Sequence, residues 1–424
     1  MVIGIASIIF FNIVDTFWVG QLGDDALAAM SFTFPVVFVV MSLSMGLGIG
    51  TTSVLSRAIG AGDRARVRRL TTDSLLLSLV LVIAFAGLGL ATIDPLFAAL
   101  GASAPTRALI REYMVPWYLG VGLLVIPMVG NSAIRATGDT RTPSIVMMVA
   151  GFVNAALDPV LIFGWGPVPA MGLRGAALAT IVSYAGAMAA AIYLLSRKLD
   201  LIAWSLCSVR RLLQSWRQFL AVGVPAAATN MMTPLASGVV TRILADIGPA
   251  SVAAYGVGTR IESLALIGIS AMATALAPFV GQNHGANEHG RVARAVSFAT
   301  WSSLAIGAAG AAVLALVRFP IAGVFTDDPV IADQIGAYLL ILPVSYGAMG
   351  VAQLCGSAFN AVNRPLVASA IVAVRLFVLA LPLAFLGAEL YGARGVFAGM
   401  AVGNAAIGVL AWVFARRVFL RAAP

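Results

Sequence analysis

Five residues of this sequence are best placed to do chemistry: Asp15, Asp158, Asn154, Thr180 and Tyr113. All lie within or at the edge of long apolar runs. A charge near the centre of a membrane helix costs roughly 2.5–3.5 kcal/mol, so an acid in such a run needs a reason to be there. Two close carboxylates cannot both ionise cheaply, and such a pair holds a proton or a small cation. Asn and Thr oxygens are suitable further ligands for Na⁺. The chemistry expected is the loading and release of H⁺ or Na⁺, with no covalent step. A second set of buried charges, Arg260, Glu262 and Arg375, reads as a structural ion pair rather than a ligand site. Glu262 is expected to face Arg375, because Arg260 stands two residues away and i,i+2 positions on a helix point apart.

Other reactive residue types lead nowhere. His284 and His289 fall in a loop far from the acids, so no metal site is expected. Cys207, in a loop, and Cys355, in a helix, lack metal-ligand spacing and form no disulfide framework. Gly46, Gly48 and Gly50 suggest close helix packing; no lysine follows to make a phosphate loop. Met231-Met232-Thr233 fills the core or lines a cleft. No histidine lies in an apolar run, and this excludes the usual constellations of an intramembrane enzyme.

The elements that carry these residues must be membrane helices. Of 424 residues, 61% are hydrophobic and 10% charged, against about 25% charged in a soluble domain. Apolar runs of about 20 residues recur along the chain, without strand alternation. We place twelve spans near 1–20, 26–56, 71–92, 112–134, 144–164, 175–195, 218–243, 250–280, 295–316, 332–358, 366–386 and 395–415. The second and eighth are long enough to tilt or project. Residues 1–20 read as the first span, since no basic lead or cleavage site marks a signal peptide.

The net charge of +9 does not point to nucleic acid, because the arginines sit in short loops. Eighteen of the 26 Lys and Arg residues fall in one alternate set of loops, among them Arg57, Arg64, Arg141, Lys198, Arg291, Arg294 and Arg417. Six fall in the opposite set. The excess places both termini and the loop 196–217 in the cytoplasm. Span one then runs outward, with Asp15 five residues from its outer end and Asp158 six from the end of span five. At 1.5 Å per residue both lie about 8–9 Å below the outer surface. Asn154 sits one turn deeper on the face of Asp158, and Thr180 is at a similar depth on span six. Tyr113 is near the outer mouth of span four.

The sequence repeats itself at an offset of 225. Gly23 meets Gly248, Gly60-Ala61 meets Gly285-Ala286, Arg66 and Arg69 meet Arg291 and Arg294, Tyr113 meets Tyr338, and Ser132-Ala133 meets Ser357-Ala358. Each copy has six spans, so the copies share one topology about an axis along the membrane normal. The expected organisation is a lobe over 1–195, a cytoplasmic linker over 196–217 and a second lobe over 218–424. Asp15 falls on Val240, and Asp158 has no acid near its counterpart around Ala380. Scaffold residues should recur in both copies; acids found in one copy mark function.

Several strings resemble the multidrug and toxin extrusion (MATE) family, of the DinF-like prokaryotic type with a first-lobe aspartate pair. They are Asp15-Thr16-Phe17-Trp18-Val19-Gly20, Arg57 to Asp63, Arg135 to Pro143, Asn154-Ala155-Ala156-Leu157-Asp158-Pro159 and Thr259-Arg260-Ile261-Glu262-Ser263. The resemblance covers essentially the whole chain. It implies an all-α fold of twelve helices in two six-helix lobes with a V-shaped cleft, and export of amphipathic, often cationic compounds against inward H⁺ or Na⁺. It also implies that the first-lobe acids serve the cation site. The chain departs from members with acids on spans seven and ten, since those spans here carry none near the midplane. A lipid-linked oligosaccharide flippase shares this two-lobe plan, but commonly has a more basic cleft. A channel fits less well, because the halves lack matching filter segments.

The remaining expectations are a monomer in a prokaryotic inner membrane, with a small-molecule substrate, lipid around it, no cofactor beyond the coupling ion and no nucleic acid. Pro225 minus the offset falls just before Met1, so an upstream extension carrying a proline is also expected.

Overall fold

The computed structural model describes residues 14–203 and 208–420. The expectations for residues 1–13, for Cys207 and for an upstream proline lie outside the described residues. The described chain is helical almost throughout. In order come α1 (14–20), α2 (Asp24–Gly60), α3 (Arg64–Ala99), α4 (Ala104–Ala136), α5 (Arg141–Phe163), α6 (Gly172–Tyr193) and α7 (Val209–Ile247). They are followed by α8 (Pro249–Ala265), α9 (Ile267–Gly285), α10 (His289–Phe325), α11 (Pro329–Ile341), α12 (Tyr346–Ala361), α13 (Pro365–Ala373) and α14 (Leu381–Ala415).

By length and composition, nine described helices can cross a bilayer, or ten if α8 and α9 form one span bent by 46°. The 55-residue stretch Pro365–Phe419 accounts for one more. It breaks at Tyr391 and Gly392, where Gly392 takes φ 61° and ψ −141°, a conformation open to glycine. Beyond the break the chain folds back, so that Gly395 abuts Gly387, Gly399 abuts Leu383 and Gly403 abuts Ala380. These backbones meet because neither glycine of the first pair has a Cβ. Among the described residues that makes eleven of the twelve spans expected; of the first, 1–20, only α1 is described. Span eight is not continuous: the helix stops at Leu266 and resumes. Span ten is also divided, by a tight turn at Leu342–Ser345 around Pro343. Proline lacks the N–H that would continue the ladder.

Local caps set the helix starts. Asp63 accepts from the Arg66 N–H, and Asp328 from the N–H groups of Val330 and Ile331, as N-cap aspartates do. The repeat is visible in the turns. Gly62 and Asn287 both take positive φ (76° and 60°), as do Gly138 and Asn363 (97° and 63°). Glycine and asparagine are the residues that tolerate this region. It recurs in the interior too: the Ser357 hydroxyl bonds the Ala273 carbonyl at 2.7 Å, and in the first copy Ser132 packs on Gly48.

Two compact units divide the chain. One comprises 1–59 and 63–224; the other comprises 60–62 and 225–424. The first is built on α4, whose Tyr113, Met114, Trp117 and Tyr118 are buried between α3 and α6. The second is built on α11 and α12, with Tyr338, Leu339 and Tyr346 at its centre. The stretch 196–217 is only partly a loop, since α7 begins at Val209. Arg68 binds the Ile202 carbonyl and pairs with Asp200 at 3.2 Å. Thr72 exchanges hydrogen bonds with Ala203, and the Trp216 indole donates to the Asp73 carbonyl at 3.0 Å. The linker is thereby fastened to α3.

Candidate ion-coupling site

The first unit gathers all five residues that composition and depth singled out. Asp158 lies on α5 and is completely buried (0% exposed). Its neighbour Pro159 is inside the same helix, where it leaves the Ala155 carbonyl without its helical donor. One turn earlier, the Asn154 amide donates to Asp158 Oδ1 at 3.3 Å and reaches Thr180 Oγ1 at 3.5 Å. The i,i+4 spacing dictates the first of these contacts; the packing of α5 on α6 supplies the second. Thr180 donates in turn to the Ala176 carbonyl at 3.1 Å. Asp158 Oδ2 is buried with no hydrogen-bond partner.

Asp15 stands half-buried on α1. It is within electrostatic reach of Asp158 and of Tyr113, whose side chain is 8% exposed. Tyr184 also faces Asp15. Sequence reasoning missed Tyr184, although it lies four residues beyond Thr180 and so on the same helix face. A buried carboxyl with one oxygen unsatisfied is poised to take up a proton or a cation. Among the described residues no group of three or more His, Cys, Asp or Glu side chains could hold a metal ion.

In the second unit the acid singled out by the sequence is Glu262. Glu262 on α8 accepts a hydrogen bond from the Tyr338 hydroxyl at 2.9 Å. The buried Tyr346 hydroxyl lies beside the same carboxylate, within electrostatic reach. The expected ion pair with Arg375 is not closed. Four ion pairs occur among the described residues, none involving Glu262, and Arg375 Nε is buried without a partner. Arg375 sits on a widened π-type turn, Val374–Ala380, within electrostatic reach of Glu262. Tyr338, the repeat counterpart of Tyr113, has taken the carboxylate first. Arg260 is exposed and away from this cluster.

The MatE family model matches residues 1–160 and again 225–386. It thus recognises each copy separately, starting at the two ends of the offset seen in the sequence. The chain belongs to the MatE family. These proteins are transporters and not enzymes. An FAD transporter of Shewanella oneidensis is 38% identical over 416 residues, which is 98% of this chain and 92% of that one. A probable multidrug resistance protein, NorM, of Thermotoga maritima is 26% identical over 92% of this chain and 84% of its own. The crystal structure of the Vibrio cholerae MATE transporter VcmN in the bent form superposes with a TM-score of 0.94 at 32% identity, covering 99% of this chain and 95% of that one. The MatE fold accounts for the all-helical, two-lobed architecture.

Proposed function

We propose that this MatE transporter exports its substrate by exchanging it for an inward-moving proton at Asp15 and Asp158. The observation that carries the reading is the fully buried Asp158, with one oxygen held by Asn154 and the other unsatisfied, beside a second carboxylate. Asn154 turns its amide N–H groups to Asp158 and Thr180. That arrangement suits a carboxyl group better than the all-oxygen shell a Na⁺ ion takes, and it favours H⁺. Tyr113 adds a hydroxyl group within electrostatic reach of both acids, and Thr180 positions Asn154. In this reading both termini are cytoplasmic in the inner membrane, and the lobes 1–195 and 218–424 alternate access.

For substrate, the likeness to an FAD transporter across 98% of the chain favours a flavin dinucleotide, an amphipathic aromatic anion. Cationic drugs are the second reading, favoured by relatives named for multidrug resistance at lower identity. Inside-out vesicles carrying the full chain test both. Uptake of FAD driven by an acid-inside pH gradient, with a Na⁺ gradient ineffective, is expected. Uptake of a cationic dye alone would favour the drug reading, and Na⁺-driven uptake would overturn the proton assignment.

A further inference from the structure

Arg375 is a charge inside a span that the ion-coupling site does not use. At about 1.5 Å per residue it lies about 15 Å past Pro365, near the middle of a hydrocarbon core about 30 Å thick. A guanidinium at that depth needs a partner or a task. Its Nε is buried without a hydrogen-bond partner, and none of the four ion pairs among the described residues includes it. Glu262, the acid within electrostatic reach, already accepts from Tyr338 at 2.9 Å and has Tyr346 beside it. The other acids of this unit, Asp246, Glu288, Asp327, Asp328, Asp333 and Glu389, stand near helix ends, in turns or by the break at Tyr391.

Pro143 matches Pro365, each in the first turn of a helix. Gly172 matches Gly392, each at positive φ (55° and 61°). Between those two matches Asn154 falls on Arg375 or a residue beside it. In the first unit that position turns inward, to Asp158 and Thr180. In the second it carries a cation, inside a widened π-type turn, a local form frequent at functional sites. Phe377 stands two residues on, about half a turn round, and is exposed on the apolar outside, so Arg375 points away from lipid. Where the first unit keeps exchangeable carboxyl groups, the second keeps an uncommitted positive charge turned to its interior.

We propose that Arg375 binds the diphosphate of the transported substrate, and is the residue that prefers phosphate-bearing flavins over uncharged ones. This rests on the flavin dinucleotide reading of the transporter. The chemistry matches: a guanidinium presents parallel N–H donors to two phosphate oxygens, and a diphosphate diester brings negative charge to a cation that has no ion pair of its own. Tyr338, by holding Glu262, keeps the nearest carboxylate from closing on the guanidinium.

Inside-out vesicles carrying the full chain give initial rates of FAD uptake, with riboflavin, which has the ring without the phosphates, as competitor. In Arg375→Gln the KM for FAD should rise about tenfold or more, as loss of charge-assisted bonds requires, with inhibition by riboflavin unchanged. Arg375→Lys keeps a point charge without the planar fork, and its KM should rise by less. Arg416→Gln, which removes the same charge at the end of the last span, should leave KM at its unaltered value. An unchanged KM in Arg375→Gln would overturn the assignment, as it would in Arg375→Lys if that is the variant that reaches the membrane. An equal loss of riboflavin inhibition would also overturn it, since that marks collapse of the site rather than loss of a phosphate contact. Failure of the unaltered chain to take up FAD at all would sink the flavin reading, and the assignment with it.

Discussion

Replacing Asp158 by asparagine separates charge from shape. The substitution keeps an oxygen for the Asn154 amide, which bonds Oδ1 at 3.3 Å, so insertion and packing should persist. What goes is the exchangeable proton. One pH unit across the membrane is worth about 1.4 kcal/mol per proton, a factor of about ten in accumulated substrate. If each carboxyl carried its own proton, the ratio would reach about a hundredfold per pH unit, and losing one would leave about tenfold. The geometry argues for a single shared load. Asp158 is closed to solvent, its second oxygen has no donor, and Asp15 is within electrostatic reach, the kind of arrangement in which two carboxyl groups share one proton. Asp158→Asn and Asp15→Asn should therefore each bring the ratio from about tenfold per pH unit to about one, with neither leaving a partial gradient. The assay is steady-state FAD accumulation in inside-out vesicles under a set pH difference, with protein level matched by immunoblot. Unaltered accumulation in both variants would refute the site, and a tenfold residue in either would refute the sharing.

Tyr338→Phe removes the 2.9 Å bond to Glu262 and should cost about 1.5–3 kcal/mol of stability, visible as earlier unfolding in a thermal ramp; Glu262→Gln should be milder, since its amide still accepts. Gly395→Leu should block folding of the last two spans, because any Cβ there meets the Gly387 carbonyl; loss of the monodisperse peak on size exclusion is the readout. Asp139, in the turn before α5, is partly desolvated, but hydrogen bonds from Thr142 and Arg141 and the Lys198 charge outweigh this and hold its carboxyl below the usual range. A depressed carboxyl stabilises above its unfolded value and loses that contribution as pH falls through the folded one. Asp139→Ala should thus melt earlier than the unaltered chain at neutral pH, and the two should converge below about pH 4.

The spans, their number and the duplicated plan were legible because apolar length and loop charge follow from the bilayer itself. Asp15, Asp158, Asn154 and Thr180 were legible as a group because depth along a helix is simple arithmetic. The break at Leu266 was not; it lies within an uninterrupted apolar run, and the bend is decided by packing against neighbours. The turn at Leu342–Ser345 carried a signal in Pro343 that the span reading passed over. The Glu262–Arg375 pairing failed for a reason the repeat contained. Tyr113 faces the acids of the first unit, its counterpart Tyr338 faces the acid of the second, and a tyrosine was already in place to satisfy Glu262. Tyr184 was missed because an aromatic residue in a membrane helix looks like any other apolar one until a carboxylate is placed beside it.

Helix α7 starts in one compact unit and ends in the other, with the division at Val224 and Pro225. A gene cut within 204–207 would therefore not give two self-sufficient halves. The downstream fragment would carry Trp216 and Phe219, which complete the interior of the upstream one. Co-produced fragments should find each other through that shared helix as a peg finds its socket. A cut at 224/225 would leave each fragment with the part of α7 that packs within it.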